Sequence, residues 1–310
     1  MIQLERDTLT EVVEAILADP GHNFEWIQIA VTGPDQCAIL FEMGDAEHES
    51  TVSVVFLVDG FDPARARIVL LLNEWLTSLS ATSLADLSAL EVGRDIWRGP
   101  EGGAWARTPA ADHFCLRTWC HAPAETFLIG EHGLSSRFDG GAFTAIQPGR
   151  DALLFDIHGV RPDAIFCVGA GGTLQWLQGN AWQPIDLAMS HRFRGIDATR
   201  GPGLLRFGGD NGLAFELRDL TDLVQLEAPD SYIFTVREFQ GDVYWGDSHF
   251  GVWKQRGTAL EPIHETRIAY DLRCDERFLY AVGTDMAWRF DGSEWRSLQL
   301  RFEAGTFTLV

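Results

Sequence analysis

Six glycines, Gly93, Gly130, Gly169, Gly208, Gly246 and Gly283, recur at intervals of 37, 39, 39, 38 and 37 residues. A spacing this regular means that the chain repeats one structural unit, and the fold must be one that such units build together. Several of the glycines follow a short β-forming run: Thr126 to Ile129 before Gly130, Ile165 to Val168 before Gly169, and Leu279 to Val282 before Gly283. A second run, a turn and an aromatic residue come next. The turn is Asp291-Gly292 before Trp295, Asp139-Gly140 before Phe143, and Gly179-Asn180 before Trp182. Glycine suits tight hairpins because they need positive φ, which a residue with a Cβ adopts at a cost. The copies at Gly208 and Gly246 are looser, with Leu217-Arg218-Asp219-Leu220 and Gln255-Arg256-Gly257-Thr258 at the turn. The copy at Gly93 is degenerate but aligned, with Ile96-Trp97-Arg98, Gly102-Gly103 and Trp105 in order.

Upstream of five of these glycines lies one more strand-like run: Cys115 to Cys120, Leu153 to Ile157, Phe193 to Asp197, Tyr232 to Val236 and Ile268 to Leu272. Each repeat therefore has four strands. Such a unit cannot bury both faces alone, and stacking copies around an axis gives a β-propeller. Six copies predict a mainly β fold with six blades over residues 86–310. The spare strand Thr306 to Val310 is expected to complete the first blade and so remove exposed edges. The pattern resembles bacterial β-propeller repeats of the Val-Gly, turn, strand, Asp-Gly, Trp kind; the resemblance implies a fold and no activity.

Residues 1–80 follow other rules. Thr8 with Glu11 reads as a capping box, and Leu9, Val12, Val13, Ile16 and Leu17 share one helical face before Asp19-Pro20-Gly21. Asp62 can cap a second helix, with Pro63 at its first position and Ile68, Leu71, Leu72, Trp75, Leu76 and Leu79 as an apolar stripe. Strand candidates Trp26 to Val31, Cys37 to Phe41 and Val52 to Val58 lie between them. The order helix, three strands, helix predicts a small N-terminal α+β domain, with a boundary in Ser80 to Asp86.

Apolar residues make up 46% of the chain, enough for a large core. No apolar run reaches the ~20 residues that cross a bilayer, and the acidic, amphipathic N-terminus is unlike a signal peptide, so a cytoplasmic location is expected. With 24 basic against 45 acidic residues the net charge is −21, and Lys254 is the sole lysine. That disfavours nucleic acid and anionic membranes as partners, because long-range repulsion slows their approach. Residues 1–80 hold fourteen acidic and three basic residues, so a basic protein partner is the natural complement. Asp45, Glu47 and Glu49 are the partner-binding candidates.

The inner strands and their ends carry Arg117, His121, Asp156, His158, Asp197, Arg237, Asp271 and Arg273. Lining a channel, Asp156, His158, Asp197, Arg237 and Asp271 could serve a hydrolase or lyase, or bind a sugar or small ligand. They could equally be ion pairs that hold the blades in register, which is the reading preferred. The five cysteines form no Cys-x-x-Cys, the histidines lack metal-site spacing, and no serine sits on a nucleophile elbow. No metal, cofactor or triad is implied. The leading reading is a non-enzymatic, acidic binding protein, one form of which is a cytoplasmic immunity protein that inhibits a basic toxin.

Overall fold

A computed structural model of the protein describes residues 6–47, 49–100, 102–111, 113–122, 125–266, 268–284, 286–303 and 306–310, without the side chains of 6–9, 26 and 27. Among these residues the strands form seven antiparallel sheets, each from consecutive strands. The inner strands are Asn23–Gly33, Leu76–Ala81, Cys115–Ala122, Leu154–Gly159, Phe193–Asp197, Ile233–Phe239 and Asp271–Cys274, one in each of blades 1 to 7. They stand side by side around an axis, the last beside the first. The fold is a seven-bladed propeller, so the expectation of six blades is corrected.

The missing blade is the segment read as an α+β domain. Its three expected strands fall within Asn23–Gly33, Gln36–Gly44 and Thr51–Asp59, and the expected second helix is in fact two strands, Ala66–Leu72 and Leu76–Ala81. The first of these completes blade 1; the second is the inner strand of blade 2. Asp62 does cap, accepting from the Ala64 amide at 2.9 Å, but only the 3-10 turn Pro63–Arg65. Beyond it Val69 to Leu72 are buried on both faces. A strand covered on both sides reads as a continuous apolar run, which periodicity alone cannot tell from a helix. The first helix, α1, spans Arg6–Ala18; the Thr8 cap lies outside the described side chains.

The terminal strand also differs from expectation. Thr306–Leu309 pairs with Trp295–Glu303, Phe302 opposite Phe307, as a fifth strand of blade 7. Among the described residues no strand is exchanged across the seam between blades 7 and 1. Apolar side chains close it: Val13 and Ile16 of α1, Phe41 and Val54 of blade 1, and Phe307 and Leu309 of the last strand share one core.

The repeat glycine has a different cause from the one its turns suggest. Of the six, Gly93 alone has positive φ. At Gly130, Gly169 and Gly283 a Cβ would collide with the carbonyl oxygens of Phe114, Leu153 and Ile268, at the start of the neighbouring inner strand. At Gly130 and Gly169 the inner strand facing the glycine is bulged, while the strand facing Gly283 is not. In six of the seven inner strands the register slips by one residue at the same level, at Ile27, Thr77, Leu116, Phe155, Arg194 and Phe234. A bulge re-aims the side chains that follow it, and here it does so in register around the axis.

Candidate functional site: the channel and the upper face

The residue after each bulge, with Asp271 at the matching place in blade 7, forms a ring: Gln28, Ser78, Arg117, Asp156, Gly195, Thr235 and Asp271. Five of these side chains accept a hydrogen bond from a backbone amide of the next blade. Gln28 takes Leu79 N at 2.6 Å, Ser78 takes Thr118 N at 2.9 Å, and Asp156 takes Ile196 N at 3.0 Å. Thr235 takes Leu272 N and Asp271 takes Ile29 N, both at 3.3 Å. The two joints left over are made differently. Arg117 Nε reaches Asp156 at 3.2 Å, and Arg237 Nη1 donates to the carbonyl of Ile196 at 2.7 Å. Gly195 stands where a Cβ would collide with the carbonyl of Phe234. Every joint of the ring therefore carries one polar tie near the axis.

Arg117 also crosses from blade 3 to Asp271 of blade 7 at 3.1 Å, and Arg273 Nη1 lies 3.2 Å from the same carboxylate. Burial opposes the charge on Arg117, yet Asp156 and Asp271 hold its guanidinium above its ordinary value. Burial pushes Asp271 up to about 6 against the pull of Arg117 and Arg237. Asp156 and Asp271 thus spend both oxygens on ties and cross-channel pairs.

The remaining channel candidates lie one tier lower, where the inner strands end. His158 Nδ1 lies 2.9 Å from the Ala198 amide nitrogen. Asp197 Oδ1 is 3.3 Å from the same Nδ1 and accepts from the amide and hydroxyl of Thr199. Burial would raise the Asp197 carboxyl, but the polar groups around it, His158, Arg237 and Thr199, together hold it below its ordinary value. Of the five candidates, then, Asp156 and Asp271 share one tier, while His158, Asp197 and Arg237 occupy neighbouring blades of the next. Gln28, Ser78 and Thr235 went unread in the sequence. Arg117, Asp156 and Gly195 each stand thirteen residues before a repeat glycine, but Ser78 and Thr235 do not, so the spacing does not reach them.

Both outer faces carry exposed carboxylates, with Asp139, Asp219, Glu276, Asp291 and Glu294 on the lower one. On the lower face, where the inner strands end, arginines meet carboxylates: Arg67 with Asp59 at 2.9 Å, Arg98 with Asp86 at 2.8 Å, Arg137 with Glu125 at 2.6 Å and Arg200 with Glu238 at 2.6 Å. On the upper face, where they begin, Glu47, Glu49, Glu74, Glu131, Asp186 and Asp230 are exposed and form no ion pair among the described residues. Asp45 lies in the same turn as Glu47 and Glu49 but works as its staple, accepting from the amides of Glu49 and Ser50 at 2.9 Å each.

The upper face also presents aromatic rings. Tyr232 and Phe250 are 42% and 49% exposed, while Asp247 beneath them is fully buried. The carboxylate of Asp247 accepts from the amides of His249, Phe250 and Gly251 at 3.2, 2.7 and 2.7 Å, and from the hydroxyl of Ser231 at 2.7 Å. The loop is thereby fixed with its rings outward. Nearer the axis the Arg194 guanidinium lies 5.0 Å from the ring centre of Tyr232, 5.4 Å from that of Phe234 and 5.7 Å from that of Phe155.

These features define a seven-bladed β-propeller with a tied axis and an acidic, aromatic face. Comparison of structures agrees on the fold. The chain is similar to the WD40 β-propeller domain of Doa1, with a TM-score of 0.64 and 12% identity over 84% of this chain and 94% of that one. It is similar to YCF48 bound to D1 peptide, with a TM-score of 0.66 and 11% identity over 89% and 94%. Sqt1 of Saccharomyces cerevisiae gives a TM-score of 0.61 and 10% identity over 91% and 90%. No family model matches the sequence, and no curated protein matches it.

Proposed function

We propose that the protein is a binding propeller that docks a basic protein partner on its upper face. The observation that carries this reading is the combination of exposed carboxylates and exposed rings on one face. Glu47, Glu49, Glu74, Glu131, Asp186 and Asp230 form no ion pair among the described residues, and Tyr232 and Phe250 stand exposed on the same face. Acidic groups steer a basic partner and set orientation, and preorganised aromatic residues are typical anchors of binding energy. A similar propeller was solved with a peptide bound, which supports binding as a use of this architecture. Among the described residues no helix is long and apolar enough to cross a membrane. A concrete form is a cytoplasmic inhibitor of a basic toxin, with Glu47 and Glu49 at the contact.

The test is affinity purification from the native host with the wild-type protein, a Glu47→Lys/Glu49→Lys variant and a Tyr232→Ala/Phe250→Ala variant, each checked for wild-type melting. A basic protein retained in stoichiometric amount by the wild type and lost by both variants is the expected result. Equal retention by all three would sink the upper-face assignment.

A further inference from the structure

A cavity of about 130 Å³ opens in the channel below the ring of ties, between the inner strands of blades 7, 1, 2 and 3. Arg273, Ser80, Thr118, Cys120 and Cys274 supply its polar side chains. The rest of the wall is apolar, Ala30, Val31 and Trp119 included, and no acidic residue among those described lines it. In a chain of net charge −21 the cavity therefore has a guanidinium and hydroxyls in its wall and no carboxylate.

Arg273 has donors to spare. Its Nη1 is engaged by the carbonyl of Leu272 and by Asp271, both at 3.2 Å, whereas Nε and Nη2 have no hydrogen-bond partner among the described residues. The side chain is not sealed in, since 17% of it is exposed. The hydroxyls add a second donor. Ser80 Oγ lies 3.1 Å from both Thr118 Oγ1 and Cys120 Sγ, and that sulfur lies 3.4 Å from Thr126 Oγ1. Hydroxyl and thiol hydrogens rotate to suit their partners, so the run can donate toward Thr118 and leave its hydrogen for the cavity. The Cys274 thiol is already spent, donating to the carbonyl of Glu238 at 3.3 Å.

We propose that this cavity is a site for a short-chain monocarboxylate of acetate or propionate size. The carboxylate takes Arg273 Nε and Nη2 together with the Thr118 hydroxyl, and the alkyl end lies against Ala30, Val31 and Trp119. A planar pair of oxygens matches the guanidinium fork. Charge and polarity select this class. A cation meets Arg273 with no acid in the wall to hold it. An inorganic anion meets the guanidinium but sets its remaining hydration against apolar side chains. Asp271 faces Arg273 from the ring and takes part of its charge, so a single negative charge is as much as the cavity accepts. The volume has room for about four waters, which is the bulk of a small carboxylic acid and excludes a large one. The site lies below the ring and the proposed docking surface above it, and the two proposals stand or fall separately.

The test is calorimetric titration of the full-length protein with sodium propionate, in chloride-free buffer of constant ionic strength, with chloride, 1-propanol and propylammonium as comparisons. Saturable binding of propionate, about tenfold or more tighter than any of the three, is expected. Arg273→Met should weaken it about ten- to a hundredfold, the cost of a charge-assisted hydrogen bond. Ala81→Leu fills the cavity and leaves every polar group in place, so it should abolish saturable binding; Ala81 lines the cavity without being fully buried, and this variant decides if Arg273→Met fails to fold. No saturable heat with propionate, chloride binding as tightly, or unchanged affinity in either folded variant overturns the site.

Discussion

Asp271 Oδ2 accepts a hydrogen bond from the backbone amide of Ile29 at 3.3 Å, across 242 residues of chain. It ties the last blade to the first where no strand is exchanged, and the same carboxylate anchors Arg117 and Arg273. Removing it takes a fully buried carboxylate from two half-buried guanidinium groups, which is costlier than losing one neutral tie. Asp271→Ala should lower stability by about 3–5 kcal/mol, the range for breaking a buried pair. Ser78→Ala, which removes an uncharged tie, should cost about 1–2 kcal/mol. Urea unfolding of both variants checks the order; a loss at Asp271 no larger than at Ser78 would mean that the apolar seam alone closes the ring.

The repeat glycines make a second contrast. A Cβ at Gly169 would collide with the Leu153 carbonyl although its φ is ordinary, whereas Gly179 has φ +63° and open space around it. Gly169→Ala must push the inner strand off its bulge and should cost roughly 2–4 kcal/mol. Gly179→Ala should cost only the left-handed backbone strain, about 1 kcal/mol. Thermal unfolding of the two proteins separates steric from conformational need, and equal losses would refute the steric account.

How far the fold could be read follows from these residues. The period marked blades 2 to 7 because each carries a glycine at or near the end of its second strand, and at Gly130, Gly169 and Gly283 a backbone carbonyl leaves no room for a Cβ. In blade 1 the place opposite the residue before the bulge, held by Gly169 in blade 4, is taken by Phe41 opposite Trp26. The outer strand of blade 1 and the inner strand of blade 2 carry apolar residues on both faces, and that erased the alternation by which a strand is known. The channel residues Asp156 and Asp271 were legible as polar groups on inner strands. Their duty was not, because a side chain that accepts from the next blade's amide looks in sequence like any other acid. That His158 and Asp197 meet across two blades is decided by packing between blades, which no strand pattern shows.

Glu42 offers a test by pH. It is 3% exposed and sits opposite Glu25 in the register of blade 1. Burial, and then the charge of Glu25, pushes its carboxyl from 4.5 up to about 7. The folded protein therefore holds this proton more tightly than the unfolded chain, and the stability it contributes is full below about 4.5 and lost as pH rises through 7. Glu42→Gln keeps the shape without the charge. It should match the wild type at pH 4 and exceed it at pH 8 by about 1–3 kcal/mol. Urea unfolding at both values gives the answer; a gain independent of pH, or a loss at pH 8, would contradict the assignment.

The upper-face loop allows presentation to be separated from contact. Phe250 is half exposed, so Phe250→Ala should leave stability within about 0.5 kcal/mol. Asp247 touches no solvent and holds the amides of His249, Phe250 and Gly251, so Asp247→Ala should cost about 2–4 kcal/mol through the donors it leaves open. Asp247→Asn keeps one acceptor but loses the charge on which three amides and a hydroxyl converge, and should fall between. Hydrogen exchange is the sharper measurement. In Phe250→Ala the amides of residues 249–251 should stay protected as in the wild type, and in Asp247→Asn they should exchange about ten times faster or more. If Phe250→Ala also releases those amides, the ring holds the loop and the carboxylate does not, and Phe250 could no longer be treated as a surface free to meet a partner.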